Sequence, residues 1–329
     1  MGLIRVEQLY KVYKVKNSRK GLLGGVADLF APQWVDKEAV NCIDFTINQG
    51  ESVGYIGPNG SGKSTTIKML TGILYPTSGR VLVNHVEPYH NRLKNASMIG
   101  AVFGQRSQLW WDLAIRESFE LFRHIYRIPY PMFKKNLDKM VELLGLNEFY
   151  STPVRQLSLG QRMRAEIACA FFHEPLIVYL DEPTIGLDVV AKEQVRLFLR
   201  EINKEKQTTI ILTTHDMDDI QQVCERLILI DHGQLIFDSP MEHFVNQYGK
   251  ERMLLLQFEH HVDNLQVDHG VLVENQNNQA KILFNKDSIS ATKLIQKMTE
   301  CYPVMDCKIE EPKIEHLMRM VYEERGRNE

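Results

Sequence analysis

The stretch GPNGSGKS, residues 57–64, is the strongest indication of the fold in this chain. It fits the phosphate-loop pattern G-x-x-x-x-G-K-[ST], and it stands between an apolar segment, Ser52–Ile56, and a helical segment that starts after Gly62. Glycines in such a loop let backbone N–H groups turn inward on phosphate oxygens, and the helix N-terminus that follows favours negative charge. The sequence therefore predicts a strand, loop and helix that bind the phosphates of a nucleotide.

The polar residues of this loop have distinct expected tasks. Lys63 would reach the β- and γ-phosphates of ATP, and the hydroxyl of Ser64 would bind Mg²⁺. We expect ATP to contact the whole loop and the next residue of the helix: Gly57, Pro58, Asn59, Gly60, Ser61, Gly62, Lys63, Ser64 and Thr65.

An acidic pair supplies the second half of the expected site. Ile177–Leu180 is apolar, which predicts a buried central strand, and Asp181 and Glu182 follow at its carboxyl end. Ligands of open α/β sheets bind at that end of the strands. Asp181 would hold Mg²⁺, directly or through water, and Glu182 is placed to polarise an attacking water as general base.

The order of the segments predicts the fold class. Short apolar segments alternate with helical ones to about residue 232, which is typical of an α/β domain with a largely parallel sheet. Helical stretches around Ala114–Leu144 interrupt the alternation and indicate an inserted helical subdomain, about residues 110–172. The expected strands of this domain are Arg5–Leu9, Val40–Thr46, Ser52–Ile56, Arg80–Asn84, Met98–Phe103, Leu176–Leu180, Thr208–Leu212 and Leu227–Ile230.

A small α+β domain is expected after residue 238. Three short strands and a helix near Ser290–Met298 precede Pro312, which opens a helix with one apolar face. This region, residues 239–329, carries no chemical motif. Two roles stay open for it: a dimerisation or stabilising appendage, or a regulatory or partner-binding domain.

Composition excludes several classes of protein. The 329 residues carry a net charge of -3, which provides no electrostatic footprint for nucleic acid. Five scattered cysteines form neither a disulfide framework nor a zinc pattern, and they suit a reducing compartment. The sequence shows no signal peptide and no apolar run long enough to span a bilayer. Any membrane role is therefore expected to depend on a partner.

Taken together, these residues resemble the ABC ATPase family over about residues 1–238, which implies a P-loop NTPase core. Gln105 matches the family glutamine that contacts Mg²⁺ and the lytic water, and His215 matches the switch histidine that touches the γ-phosphate. Asp188 ends a segment that resembles the family's D-loop. Tyr13 aligns with the aromatic residue that stacks on adenine, with Tyr10 as its competitor.

The run LSLGQ, residues 157–161, stands where the family carries its signature LSGGQ, with Leu159 in place of the first glycine. The resemblance implies that Ser158 and Gly160, with Gln161 beside them, face the γ-phosphate bound by the opposite subunit. It therefore implies a head-to-tail dimer with ATP between the subunits, and a homodimer is the simplest solution.

The resemblance also indicates a kind of transporter. The segment VFGQRSQLWWDL, residues 102–113, and the run after Glu182 look most like ABC-2-type exporter ATPases of a viologen- or multidrug-export-like group. This implies an integral-membrane permease as partner, with the chain at the cytoplasmic face of the cell membrane, and export of a drug-like or lipophilic substrate. The alternatives are an importer motor and a non-transport ABC ATPase.

The stretch between Tyr13 and Val40 has two possible interpretations. Its apolar residues fall on one face of a helix over Gly21–Ala31, preceded by four basic residues. The helix could pack on the domain or lie at a membrane surface with its basic residues toward anionic head groups.

Overall fold

The computed structural model describes residues 2–16, 34–104, 107–312 and 314–328. Within this part of the chain the strands are β1 (Ile4–Lys16), β2 (Trp34–Ile47), β3 (Ser52–Ile56), β4 (Ser78–Val83), β5 (Ile99–Phe103), β6 (Ile177–Asp181), β7 (Thr209–Thr213), β8 (Arg226–Asp231), β9 (Gln234–Pro240), β10 (Glu251–Phe258), β11 (Val271–Gln276), β12 (Gln279–Asn285) and β13 (Val304–Glu310). The α-helices are α1 (Lys63–Leu70), α2 (Arg92–Ala96), α3 (Ile115–Ile125), α4 (Tyr130–Leu143), α5 (Leu159–Phe171), α6 (Val189–Lys206), α7 (Met217–Val223), α8 (Met241–Tyr248), α9 (Ala291–Cys301) and α10 (Ile314–Asn328). The predicted helix over Gly21–Ala31 lies outside the described residues.

A six-stranded sheet in the order β5-β6-β7-β3-β8-β9 carries the phosphate loop. The pairs from β5 to β8 are all parallel. Every residue of β3 and β7 is buried, as expected for inner strands covered on both faces. Because parallel strands end at the same edge, the loops after β3, β6 and β7 come together there.

The domain also contains a three-stranded sheet, separate from the largely parallel sheet that the sequence predicts. Strand β1 lies between β2 and β4, and both pairs are antiparallel. The strands expected over Arg5–Leu9, Val40–Thr46 and Arg80–Asn84 therefore do not join the sheet of β3. The sequence does not specify this division, because Ile4 pairs with Ile47 and with Val83, which are far apart in the chain. Strand periodicity contains no information on such partners.

Helices α3, α4 and α5 form the helical region that the interrupted alternation predicts. The rings of Phe119 and Phe133 both pack on Phe172, with centroids 4.7 and 5.3 Å away. Helix α5 lies directly on β5, because a Cβ at Gly100 would stand 2.2 Å from the carbonyl oxygen of Ala170. No helix among the described residues is both long and apolar enough to cross a membrane.

The chain divides into two compact units, Met1–Ser239 and Pro240–Glu329. The second unit contains an antiparallel sheet in the order β11-β12-β10-β13. Helix α9 contributes Leu294 and Met298 to an apolar core with Leu254, Ile282 and Phe284 of the sheet. The expected apolar face of α10 is buried through Ile314, Leu317, Met318 and Val321.

Four elements have no counterpart in the sequence-based expectations: α2, β9, α8 and β13. The residues of β13 are mostly exposed, so no alternation of apolar and polar residues marks the strand. Helix α8 buries only Phe244 among its residues, and β9 is half-exposed along its length. An element that buries little apolar surface leaves a weak signal in the sequence.

Candidate nucleotide-binding site

The phosphate loop follows β3 and has the shape that its glycines permit. A Cβ at Gly57 would stand 2.1 Å from the carbonyl oxygen of Ile230, and one at Gly62 would stand 2.3 Å from that of Ala39. Gly62 also has a φ of +109, which side chains rarely adopt. The neighbouring strands therefore enclose the loop so closely that only glycine fits at these two positions.

Lys63 lies inside the loop and holds it together. Its Nζ donates hydrogen bonds to the carbonyl oxygens of Gly57 at 2.5 Å and Pro58 at 2.9 Å. Burial lowers the pKa of Lys63, and the nearby carboxylates of Glu182 and Asp181 oppose this shift. The ammonium group thus sits at the centre of the loop, where a phosphate would replace carbonyl oxygens as its partner.

Ser61 provides an independent indication of a ligand. Its hydroxyl oxygen is buried and has no hydrogen-bond partner, although buried polar groups are almost always paired. Its carbonyl oxygen accepts a hydrogen bond from the backbone N–H of Gly233 at 2.9 Å, which fixes the loop from outside. A loop with an unpaired hydroxyl and a buried cation fits a bound phosphate chain.

The oxygen donors expected to bind Mg²⁺ come together at the sheet edge. The hydroxyl of Ser64 lies 3.4 Å from Oδ2 of Asp181, and the hydroxyl of Thr213 donates to Oδ1 of the same carboxylate. The backbone N–H of Gly104 donates to the carbonyl oxygen of Asp181 at 3.0 Å. A hydroxyl beside a carboxylate is the hard oxygen set that suits Mg²⁺. Gln105, the other expected ligand, lies outside the described residues.

Glu182 and His215 form a pair next to this oxygen cluster. Nε2 of His215 lies 3.4 Å from Oε1 of Glu182, and the backbone N–H of Glu182 donates to the carbonyl oxygen of Thr213 at 2.9 Å. Glu182 has a φ of +57, a strained backbone conformation of the kind that clusters at active sites. Burial raises the pKa of Glu182, and the neighbouring His215 partly offsets this effect. The raised pKa brings this carboxyl group closer to the range useful for a general base.

The two candidate aromatic residues lie on β1, which is the central strand of its sheet. The hydroxyl of Tyr10 donates to Glu38 at 3.0 Å, so this ring is held by its own sheet. Tyr13 is half-buried opposite Lys37, and Nζ of Lys11 lies 5.4 Å from its ring centre. Strand β4 pairs with β1 only as far as Tyr10, so among the described residues the strand has no partner strand on that side at Tyr13.

The signature run begins α5 through a capping box. The backbone N–H of Gln161 donates to the Ser158 hydroxyl oxygen at 3.1 Å, and the side chain of Gln161 accepts from the backbone N–H of Ser158 at 3.0 Å. The side chain of Leu159 lies over Gly186, where an added Cβ would stand 2.3 Å from Cδ2 of Leu159. A Cβ at Gly160 would contact Leu187 at 3.2 Å. The signature run therefore rests on the segment that precedes Asp188.

Asp188 and Thr213 show what motif matching finds and misses. Asp188 caps α6, accepting from the backbone N–H of Ala191 at 2.8 Å. Thr213 was not among the expected site residues, although it shares the carboxylate of Asp181. Its position at the end of an apolar strand next to β6 was the available signal.

A parallel sheet with a phosphate loop, an oxygen cluster and an acid–histidine pair at one edge defines a P-loop ATPase. The ABC transporter family model matches residues 40–185. The ABC transporter ATP-binding protein NatA of Bacillus subtilis is 30% identical over 215 residues, which are 65% of this chain and 86% of that protein. The bacitracin transport ATP-binding protein BcrA of Bacillus licheniformis is 31% identical over 215 residues, covering 65% of this chain and 69% of BcrA. The chain belongs to the ABC transporter family and carries its ATP-binding ATPase domain.

Solved structures agree with this assignment. The ATP-binding cassette MJ0796, in a dimeric post-hydrolysis state bound to ADP and Pi, superposes with a TM-score of 0.60 at 26% identity, covering 72% of this chain and 98% of that chain. The cholesterol transporter ABCA5 of Rattus norvegicus is 27% identical over 260 residues, which are 79% of this chain. The chain spans only 15% of the length of that transporter.

Proposed function

We propose that this chain is the ATP-hydrolysing subunit of an ABC-2-type exporter. The observation that carries the proposal is the meeting of Lys63, Asp181 and Glu182 at one edge of the sheet, with His215 3.4 Å from Glu182. These groups supply a cation for phosphates, a ligand for a metal and a base for water.

Each of these residues has a task in the proposed reaction. Lys63 exchanges its loop carbonyl partners for the phosphate oxygens of ATP. Ser64 and Asp181, with Gln105, hold Mg²⁺, which when bound neutralises the charge on the phosphates. Glu182 accepts a proton from the attacking water, and His215 orients Glu182 and contacts the γ-phosphate. Tyr13 stacks on the adenine ring.

The signature run completes the site of a second copy. Ser158 uses its oxygen as an acceptor within its own helix, so its O–H hydrogen remains free to donate to a phosphate. Gly160 and the N-terminus of α5 add backbone N–H groups of the right polarity. MJ0796 is recorded as a dimer, and one chain here holds one complete set of motifs. A symmetric head-to-tail dimer with Gln161 and Asp188 at its interface follows as part of the proposal.

The relatives favour an exporter. BcrA is named for bacitracin transport, and YbhF of Escherichia coli, 34% identical over 201 residues, is named a probable multidrug transporter subunit. We therefore propose an integral-membrane permease as partner, attachment to the cytoplasmic face of the membrane through it, and a drug-like or lipophilic substrate. An importer or a non-transport ATPase is the alternative, and copurification of an ABC-2-type permease would decide between them.

The second unit is proposed to be an accessory domain. Its core residues form a sheet covered by one helix. The two roles of appendage and regulatory domain both remain compatible with this fold. Removal of residues 240–329 should weaken dimerisation or lower the melting temperature in the first case, with an unchanged ATPase rate per folded dimer, and should change that rate in the second.

A mixing experiment tests the shared site. Lys63→Ala and Ser158→Arg subunits should each lack ATPase activity alone. When mixed, one of the two sites in each heterodimer pairs an intact phosphate loop with an intact signature run, so part of the activity should return. Wild type mixed with the double mutant Lys63→Ala/Ser158→Arg is the control, because each site of that heterodimer has one damaged half.

The outcomes of the mixing experiment are distinct. The head-to-tail dimer is supported if mixing the two single mutants restores activity, while adding double mutant to wild type adds no activity. Full activity from either single mutant as an isolated monomer would exclude the proposed arrangement.

A further inference from the structure

A buried carboxylate outside the expected site connects the two loops that carry Glu182 and His215. Asp219 lies on α7 with 1% of its surface exposed. It accepts hydrogen bonds from Nε of Arg196 at 2.6 Å, from the hydroxyl of Thr214 at 3.3 Å and from the hydroxyl of Thr184. We call these four residues, Asp219, Arg196, Thr184 and Thr214, the Asp219 anchor.

The members of the anchor come from four elements around the catalytic pair. Thr184 follows Glu182 by two residues in the loop after β6. Thr214 directly precedes His215 in the loop after β7. Arg196 lies on α6, which follows residues 185–188, and Thr184 directly precedes them. Asp219 therefore binds the chain on both sides of this segment. One carboxylate thus fixes the start of one loop, the start of the other and the helix that follows the first.

The cost of burying the Asp219–Arg196 pair indicates that its role is to position the loops rather than to stabilise the fold. Arg196 is 8% exposed, and burying a charged pair costs desolvation that the attraction often only offsets. An apolar contact of the same volume would stabilise the fold as well. What such a contact cannot do is accept two hydroxyl groups from separate loops at fixed distances. A second carboxylate of the loop after β7, Asp216, is only partly buried, and it pairs with Lys192 and with Nη2 of Arg196 at 3.4 Å.

We propose that Asp219 is a positioning residue for ATP hydrolysis, which holds Glu182 and His215 in register through Thr184 and Thr214. The inference rests on the proposed function, because it assigns the anchor to the same site. Asp219 itself reaches neither nucleotide nor metal. Its loss loosens the two loops beyond the backbone hydrogen bond from Glu182 to Thr213, while the phosphate loop after β3 keeps its shape.

Two variants test the anchor on the full chain. Asp219→Asn keeps the size of the side chain and removes its charge. Thr184→Val removes one hydroxyl with almost no change of shape, so it keeps the test valid if Asp219→Asn folds poorly. We expect kcat for ATP hydrolysis to fall by about 10²-fold in Asp219→Asn, the cost of misplacing a catalytic group by about an ångström, with KM for ATP unchanged. The loss in the double variant should be smaller than the product of the two single losses.

A matched control separates positioning from stability. Asp238→Asn removes a carboxylate that Arg226 holds at 2.7 and 2.8 Å, in the same unit but away from the two loops. It should lower the melting temperature and leave kcat per folded molecule at the wild-type value. An equal fall of kcat in Asp238→Asn, or wild-type kcat in both Asp219→Asn and Thr184→Val, would overturn the proposal.

Two parallel measurements distinguish a failure of the Asp219 anchor from a failure of the proposed function. If Glu182→Gln is inactive and Asp219→Asn is fully active, only the anchor is wrong; if Glu182→Gln is active, the proposed base is wrong. Amide hydrogen exchange needs no turnover: it should accelerate across residues 182–188 and 213–216 in Asp219→Asn and stay unchanged in Asp238→Asn. Unchanged exchange in both variants would overturn the anchor whatever the activity.

Discussion

The phosphate side of the site and the signature run differ in how complete each is within one chain. On the phosphate side, Ser64 and Asp181 already lie 3.4 Å apart, and Lys63 is enclosed by its own loop. In the signature run, the hydroxyl oxygen of Ser158 caps its own helix and the side chain of Leu159 lies on Gly186. The phosphate side contains a buried polar group without a hydrogen-bond partner, the hydroxyl of Ser61.

This difference indicates which half of the proposed site needs a second subunit. The phosphate side is preorganised by the strands that end there, so ATP can bind to it without a partner. The signature run is an exposed helix start whose donors point away from its own helix. In the proposed head-to-tail dimer, the signature run gains its ligand from the partner subunit. The following predictions test this division, beginning with the largest expected effect.

Lys63→Ala should abolish both ATP binding and hydrolysis. The buried ammonium group supplies the positive charge that the backbone N–H groups can only supplement, and alanine leaves Gly57 and Pro58 without their internal donor. Isothermal titration with Mg-ATP measures the loss. Lys68→Ala is the matched control, because Lys68 is exposed on the same helix and should bind as wild type does. Unchanged affinity in Lys63→Ala would show that ATP binds elsewhere.

Glu182→Gln should bind Mg-ATP but hydrolyse it about 10²–10⁴-fold more slowly, the usual contribution of a positioned general base. The ATP-bound form should accumulate as a dimer on size-exclusion chromatography. Glu225→Gln, an exposed glutamate of the same unit, should keep the wild-type rate. Near-normal turnover in Glu182→Gln would assign the base to another residue, with His215 as the first candidate.

The sequence predicted the phosphate side well for a physical reason. The loop motif requires a strand before it and a helix after it, so Ser52–Ile56 was obtained with its exact bounds. The apolar run before Asp181 likewise placed this residue at the correct sheet edge. Both signals are local, since a few neighbouring residues determine them.

The features that could not be predicted from the sequence depend on contacts between residues far apart in the chain. Asp219 and Glu166 each look like ordinary surface carboxylates of a helix, yet both are buried. Glu166 accepts from the hydroxyl of Ser107 and from the backbone N–H of Gln108, and burial raises the pKa of its carboxyl group. The separate sheet of β1, β2 and β4 escaped prediction for the same reason. The pairing partners of these groups are specified only by the folded chain.

Leu159→Gly tests how much the contact between Leu159 and Gly186 contributes to the signature run. Glycine matches the family pattern, but it removes the contact with Gly186 and weakens the first turn of α5 by up to about 1 kcal/mol. We expect a lower melting temperature and an ATPase rate within about threefold of wild type, since Ser158 and Gly160 keep their donors. Leu93→Gly, an exposed leucine in the first turn of α2, is the control for helix propensity. An equal loss of stability in both variants would show that the contact with Gly186 contributes nothing.

The smallest predicted effect concerns the link between the signature helix and the nucleotide sheet. His173 follows α5, and its Nε2 lies 2.9 Å from the carbonyl oxygen of Ile99 on β5, while its ring stacks on Tyr126 with centroids 4.0 Å apart. Its Nδ1 is buried without a partner, so protonation there would create a charge that nothing accepts. Burial accordingly lowers the pKa of His173, although the contact with Ile99 partly offsets the shift.

The sign of the resulting pH dependence follows from linkage. Because the pKa of His173 is lower in the folded chain than its unfolded value near 6.5, the unfolded state binds the proton more tightly. The stability contributed by neutral His173 is complete above that unfolded pKa and is lost as the pH falls toward the folded pKa. His173→Gln keeps a donor for Ile99 but cannot titrate, so its unfolding free energy should decline less than that of wild type between neutral pH and the acid side of this window. Denaturant unfolding at several pH values measures the difference, with the exposed His90→Gln as control. Identical pH dependence in wild type and His173→Gln would mean that this histidine does not couple the signature helix to the sheet through its neutral form.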